Sequence, residues 1–177
     1  MGLFRKKIVA EDFGKLLFKN IGYGVLSSDT PFYHKQLLLD INEDPDNLPW
    51  TYVIEILIFA LYITFERMVK FPDSGLEIMK GVHSEFMTHV QPILNGEGNI
   101  PTVEEIIKLI DVRFTEYGEC MRNQKGAGPA WHLGNKAYWN IIGQEKKDPF
   151  PHVILSSYAV KLQGLIDNIS KDYRIVN

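Results

Sequence analysis

The amino-acid sequence predicts an all-α protein, a compact single-domain bundle of about seven helices around a central apolar helix at residues 49–70. Apolar side chains recur at the spacing of amphipathic helices, and proline and capping residues divide the chain into segments of helical length. No segment shows the strict alternation of a half-buried strand. The length of 177 residues suits one domain with one substantial core.

The first predicted helix begins at Glu11 and Asp12, because acidic side chains suit the positive end of the helix dipole. Glycine commonly follows the last turn of a helix, so Gly22 and Gly24 are expected to end it. Residues 1–8, which precede this helix, are expected to be frayed.

Capping residues predict the next helix, and apolar composition predicts the one after it. Thr30 can cap a helix and Pro31 suits its first position, which predicts a helix as far as residue 40. The following helix, at 49–70, is apolar on nearly every side, as is typical of a central helix. A membrane span needs about 20 mainly apolar residues, and Glu55 interrupts a shorter run here. The sequence therefore predicts a buried core helix.

The chain is expected to continue through four more helices, at residues 74–91, 103–122, 129–142 and 149–171. Pro92 is expected to end the first of them. Thr102 and Glu105 have the spacing of a capping box, the clearest local signal in the chain. Residues 25–28 and 174–176 could be extended, but neither segment has the alternation of a strand.

Composition excludes some classes of partner and location. The chain has 19 basic and 22 acidic side chains, whereas nucleic-acid binding usually requires a basic excess or stripe. Cys120 is the only cysteine, so no intramolecular disulfide can form. The sequence therefore predicts a cytoplasmic protein with no nucleic-acid partner and no stable membrane insertion.

Glu85 and His89 form the most chemical-looking pair, because they lie four residues apart on one helical face and both residue types bind zinc or iron. The neighbouring sequence has neither the His-Glu-x-x-His nor the Glu-x-x-His motif. A metal site at this pair is therefore an alternative to an ordinary surface pair. Haem ligation by His89 is a weaker alternative, and the sequence predicts no cofactor.

An aromatic segment is the predicted interface or ligand-binding site, because such side chains are enriched at the centres of interfaces. Its residues are Trp131, His132, Tyr138 and Trp139. Core packing is the other explanation for aromatic residues at helical spacing. The preceding glycines and Lys125 would suit a small anion at a helix N-terminus, but they match no phosphate-loop motif and are ordinary turn residues.

These patterns contain no recognisable catalytic motif, and no catalytic residue is predicted. The sequence favours a protein-interaction or self-associating module, such as a homodimer. The alternative is a ligand- or metal-dependent helical protein, which could be an enzyme, whose site lies in the bundle interior. It would use Glu85 and His89, with Glu55 or Glu116 beside the same cavity. A buried Glu55 would have a raised pKa unless it found a partner such as an arginine or tyrosine.

Overall fold

The computed structural model describes residues 5–26, 50–96, 100–143 and 150–176, and it is predominantly helical there. These ranges contain six α-helices and two short strands. In chain order they are β1 (Lys6–Val9), α1 (Ala10–Leu26), α2 (Trp50–Arg67), α3 (Gly75–Leu94), α4 (Val103–Arg122), α5 (Pro129–Ile142), α6 (Phe150–Lys171) and β2 (Tyr173–Val176). The all-α fold class is confirmed. The helix predicted at residues 30–40 lies outside the described residues.

Helix α2 is the centre of the fold, as its composition predicts. Every residue from 54 to 64 is buried, and α2 contacts each of the other five described helices. Thr64 satisfies its hydroxyl within the helix by donating to the carbonyl of Ala60 at 2.8 Å. A turn of 3₁₀-helix, Met68–Lys70, continues α2 to the predicted boundary. Among the described helices, none combines the length and hydropathy that a membrane crossing needs.

The predicted end of α3 is wrong, because the helix passes Pro92 and continues to Leu94. A proline removes one backbone hydrogen bond, which is tolerated here because only the last turn is affected. The backbone N–H of Asn95 closes that turn by donating to the carbonyl of Gln91 at 3.0 Å. By contrast, α4 begins and ends at the predicted residues, with the Thr102 capping box intact.

Helix α1 also differs from its prediction, since it begins at Ala10 and runs through Gly22 and Gly24. Its glycines allow close packing against α3. A Cβ atom on Gly14 would overlap the carbonyl of Ile78, and one on Gly81 would overlap the carbonyl of Glu11. The two helices therefore meet backbone to backbone, at a distance that only glycine permits at these positions.

Strands β1 and β2 form a parallel pair in which Lys6 lies opposite Tyr173 and Val9 opposite Val176. The expectation of a frayed segment at 1–8 is therefore wrong for residues 6–8. Residues 174–176 are extended, as the sequence allows, whereas Val25 and Leu26 belong to the end of α1. Pairing between segments far apart in the sequence leaves no local pattern, so the sequence alone could not reveal it.

The close approach of α1 and α3 predicts that Gly81→Ala destabilises the protein. The added methyl group would meet the backbone of Glu11, which cannot move without separating the helices. Overpacking of this kind costs about 1–3 kcal/mol, and backbone contact favours the upper end. Urea denaturation should show a lower midpoint with an unchanged slope.

Gly164→Ala is the matched control, because Gly164 lies in α6 with open space where its Cβ would stand. Replacing a helical glycine by alanine there should stabilise the protein by about 0.5–1 kcal/mol. Equal effects of the two substitutions would contradict the close contact of α1 with α3.

Candidate functional site

A cavity of about 560 Å³ opens between α2, α4 and α5, and is called here the α2–α4–α5 pocket. Its walls are mostly apolar, with two aromatic residues and a few polar groups. The apolar lining includes Ile54, Ile106, Leu109, Ile141 and Ile142, the aromatic residues are Trp50 and Tyr52, and the polar side chains are Thr51, Glu55, Glu105 and Asn140. An apolar cavity with few polar groups is the usual form of a small-molecule site.

Glu55 lines this pocket from the second turn of the apolar central helix and is only 6% exposed. Arg113 of α4 holds its carboxylate by three hydrogen bonds: Nη2 donates to Oε1 at 2.6 Å, and Nε donates to Oε1 at 3.0 Å and to Oε2 at 2.9 Å. Burial raises the pKa of Glu55, against the opposing charge and hydrogen bonds of Arg113. The sequence had identified Glu55 as a buried charge, and its partner is an arginine.

The ion pair continues into α5 as a connected polar group, called here the Glu55–Arg113–Glu116 network. Arg113 Nη1 donates to Glu116 Oε2 at 2.9 Å, and Asn140 Nδ2 donates to the same oxygen at 3.0 Å. Lys136 Nζ lies 3.4 Å from Glu116 Oε1. Burial alone would raise the pKa of Glu116, but hydrogen bonds from Asn140 and Arg113 lower it on balance. Glu116 therefore remains a carboxylate at neutral pH.

A smaller cavity of about 280 Å³ lies at the Glu116 end of this network. Its lining includes Glu116 and Lys136, together with His132 and Trp139 of the aromatic segment. Cys120 also lines it, and burial raises the pKa of this thiol, which disfavours the reactive thiolate form. Glu55 lines the larger cavity and Glu116 the smaller one, so the network connects a residue of each lining.

The side chains of the predicted aromatic site lie partly in the core and partly near the surface. Tyr138 is fully buried and contributes to the core, whereas Trp131 and Trp139 are half-buried. His132 Nε2 lies 2.9 Å from the carbonyl of Lys125, which ties α5 to the turn before it. Lys136 Nζ stands 5.8 Å from the ring centre of Trp139, within the range of a cation–π contact. An interface role for this segment stays a prediction.

Glu85 and His89 share a face of α3, as their spacing predicts, and His89 packs into the α1–α3 contact. A Cβ atom on Gly22 would lie 2.6 Å from its Cδ2, and the ring of Phe18 meets it edge-on. His89 Nδ1 lies 2.8 Å from the carbonyl oxygen of Glu85, one turn earlier in α3. The described ranges bring no third histidine, cysteine or acidic residue to this pair as a metal site would require.

Sequence reasoning did not identify Arg113 and Asn140 as site residues. The only available signal was indirect: a glutamate in an apolar helix demands a cationic or hydrogen-bonding partner. Several arginines could have served, and the choice depends on how α4 packs against α2. The same dependence on packing applies to Asn140, which no motif distinguishes.

No known protein family, curated protein or solved structure matches this chain. The geometry of the described residues is therefore the basis for a functional conclusion.

The buried ion pair predicts that Arg113→Met destabilises the protein by about 3–5 kcal/mol at neutral pH, because Glu55 would remain buried without a partner. Chemical denaturation measures the loss. The double variant Glu55→Gln, Arg113→Met removes both charges and should recover most of the stability. Lys108→Met is the matched control, because it removes a cation from the same helix. The pair of Lys108 with Glu104 is exposed and should contribute little to folding stability.

The loss of folding stability caused by Arg113→Met should also depend on pH. Without the guanidinium, burial raises the pKa of Glu55 further above its ordinary value of 4.5. A carboxyl group whose pKa is higher in the folded state stabilises the fold when protonated, and this contribution is lost as pH rises through the folded-state pKa. Denaturation midpoints should therefore show a smaller deficit at about pH 5 than at about pH 8. A deficit independent of pH would contradict an unpaired, buried Glu55 carboxylate.

Proposed function

We propose that this protein binds a small, mainly apolar molecule in the α2–α4–α5 pocket. The observation that carries the proposal is an apolar cavity of about 560 Å³ with one buried, hydrogen-bonded carboxylate in its wall. This volume lies within the range of ligand sites, about 300–1,000 Å³. Of the two functions that the sequence suggested, the geometry favours the ligand-dependent alternative, with Glu55 in the pocket wall in place of Glu85 and His89.

The Glu55–Arg113–Glu116 network supports binding because it holds the pocket in shape before a ligand arrives. Glu55 comes from α2, Arg113 from α4 and Asn140 from α5, so the network connects all three walls. Side chains already fixed by hydrogen bonds lose little further entropy when a ligand binds. A preformed pocket of this kind is suited to selective recognition.

The chemistry of the lining supports binding more than catalysis. Both oxygens of Glu55 accept hydrogen bonds from Arg113, which leaves this carboxylate poorly placed to take a proton from a substrate. Within the described ranges, the residues that line the α2–α4–α5 pocket include no serine, cysteine, histidine or lysine that could act as a nucleophile or base. The composition, with its single cysteine, supports a cytoplasmic place of action.

The proposal predicts that Leu109→Trp abolishes the binding of a neutral apolar probe such as Nile red. Leu109 lines the pocket and is half-buried, so an indole there would fill part of the cavity. Fluorescence titration should give saturable binding to the native protein and none to the variant.

Val112→Trp is the matched control, because it adds the same indole to the same helix at a position that is 51% exposed. This variant should bind the probe as the native protein does. Thermal denaturation of both variants would verify that each is folded. Equal probe binding by the two variants would refute a ligand site in this pocket.

Self-association is a second candidate function, and an exposed apolar surface favours it. Leu76 is 73% exposed and Phe65 47%, and both side chains line a groove together with Met68 and Met79. Contiguous exposed apolar patches often mark interaction sites. The surface formed by Phe65 and Leu76 would thus serve the predicted homodimer.

This second candidate predicts that Leu76→Glu shifts a dimer towards monomer, because a carboxylate in the interface would lose its water without a partner. Sedimentation velocity across a range of concentrations measures the shift. Val160→Glu places the same charge on α6, where Val160 is 61% exposed, and should leave the association unchanged. A native protein that sediments as a monomer at all concentrations would rule out self-association.

A further inference from the structure

We infer that the ligand of the α2–α4–α5 pocket is an organic cation, an amine or quaternary ammonium group attached to an apolar body. This ligand class rests on the proposed function, since it presupposes that the pocket binds a small molecule. Charge, aromatic content and apolar wall area each point to it.

The described part of the lining carries negative charge. Among the residues that the structure describes, the lining includes two carboxylates, Glu55 and Glu105, and no lysine, arginine or histidine. Arg113 balances Glu55 but does not itself line the pocket, which leaves Glu105 as the carboxylate without a balancing cation in the lining. An anionic ligand would meet like charge here, whereas a cation would be attracted.

Glu105 is held ionised and in place by the start of α4. The backbone N–H of Thr102 donates to Glu105 Oε2 at 2.7 Å, and the Thr102 hydroxyl donates to the same atom at 3.0 Å. These hydrogen bonds lower the pKa of Glu105. Both bonds reach Oε2, and no donor among the described residues is seen at Oε1. The second oxygen is therefore available to a ligand.

The aromatic residues of the lining suit the same group. Trp50 and Tyr52 lie on α2 within the first turn, and both line the pocket. Aromatic faces attract ammonium groups, and quaternary ammonium ligands are commonly held between aromatic rings and carboxylates. The apolar wall, which includes Ile106, Leu109 and Ile141, would cover the body of the ligand and remove it from water.

Three probes with one octyl chain test the inference: octyltrimethylammonium, octanol and octanoate. Isothermal titration calorimetry at low ionic strength measures each one below its aggregation concentration. The cation should bind most tightly, the alcohol more weakly, and the carboxylate most weakly. The advantage of the cation should shrink as salt is added, because screening weakens attraction at an exposed carboxylate.

Glu105→Gln is the discriminating variant, because glutamine keeps the capping box while losing the charge. This substitution should weaken the binding of octyltrimethylammonium about two- to fivefold, which is the effect of one exposed ion pair. The affinity for octanol should not change. Glu104→Gln is the control: it removes the same charge from the neighbouring residue, which does not line the pocket. It should change the binding of neither probe.

The outcomes separate the inference from the proposed function. If none of the three probes binds, the pocket is not a ligand site, and both the proposed function and the cationic ligand class are overturned. If octanol binds at least as tightly as the cation, the proposed function stands and the cationic ligand class is overturned. The cationic ligand class is also overturned if Glu104→Gln weakens the binding of the cation as much as Glu105→Gln does.

Discussion

The buried ion pair between Glu55 and Arg113 is the constraint on which the described site depends. A carboxylate inside the most apolar helix would cost several kcal/mol if it lacked a partner. Arg113 meets that demand because its planar guanidinium can donate to both carboxylate oxygens and still has an N–H for Glu116. The pair therefore determines where α4 lies against α2.

From this pair the polar network extends to α5, and the position of three helices follows from it. Asn140 and Lys136 approach Glu116 from α5, and Arg113 donates to it from α4. The carboxylate therefore contacts donors from two helices. A satisfied polar network in a helix interface is specific, since a shift of one helical turn would separate donors from acceptors. The pocket is therefore bounded by helices whose relative positions are well determined.

Packing between α1 and α3 follows a different principle. There α1 and α3 meet through Gly14 and Gly81, and the contact has no room for a Cβ atom at either position. His89 belongs to this contact, lying beside Gly22, although its sequence pattern had suggested metal chemistry. A histidine four residues from a glutamate has the same local pattern whether it packs against a neighbouring helix or binds an ion. The difference is visible only when the neighbouring helix is in place.

By itself the sequence determined the local structure: the all-α class, the central helix with its buried glutamate, and α4 with its capping box. Each of these follows from interactions within a few residues, such as amphipathic spacing and the reciprocal bonds of Thr102 and Glu105. The tertiary structure alone decided the partner of Glu55, the close contact of α1 with α3, the pairing of β1 with β2, and the pocket. These depend on residues distant in the chain, and many pairings of similar chemistry are compatible with one sequence until packing selects among them.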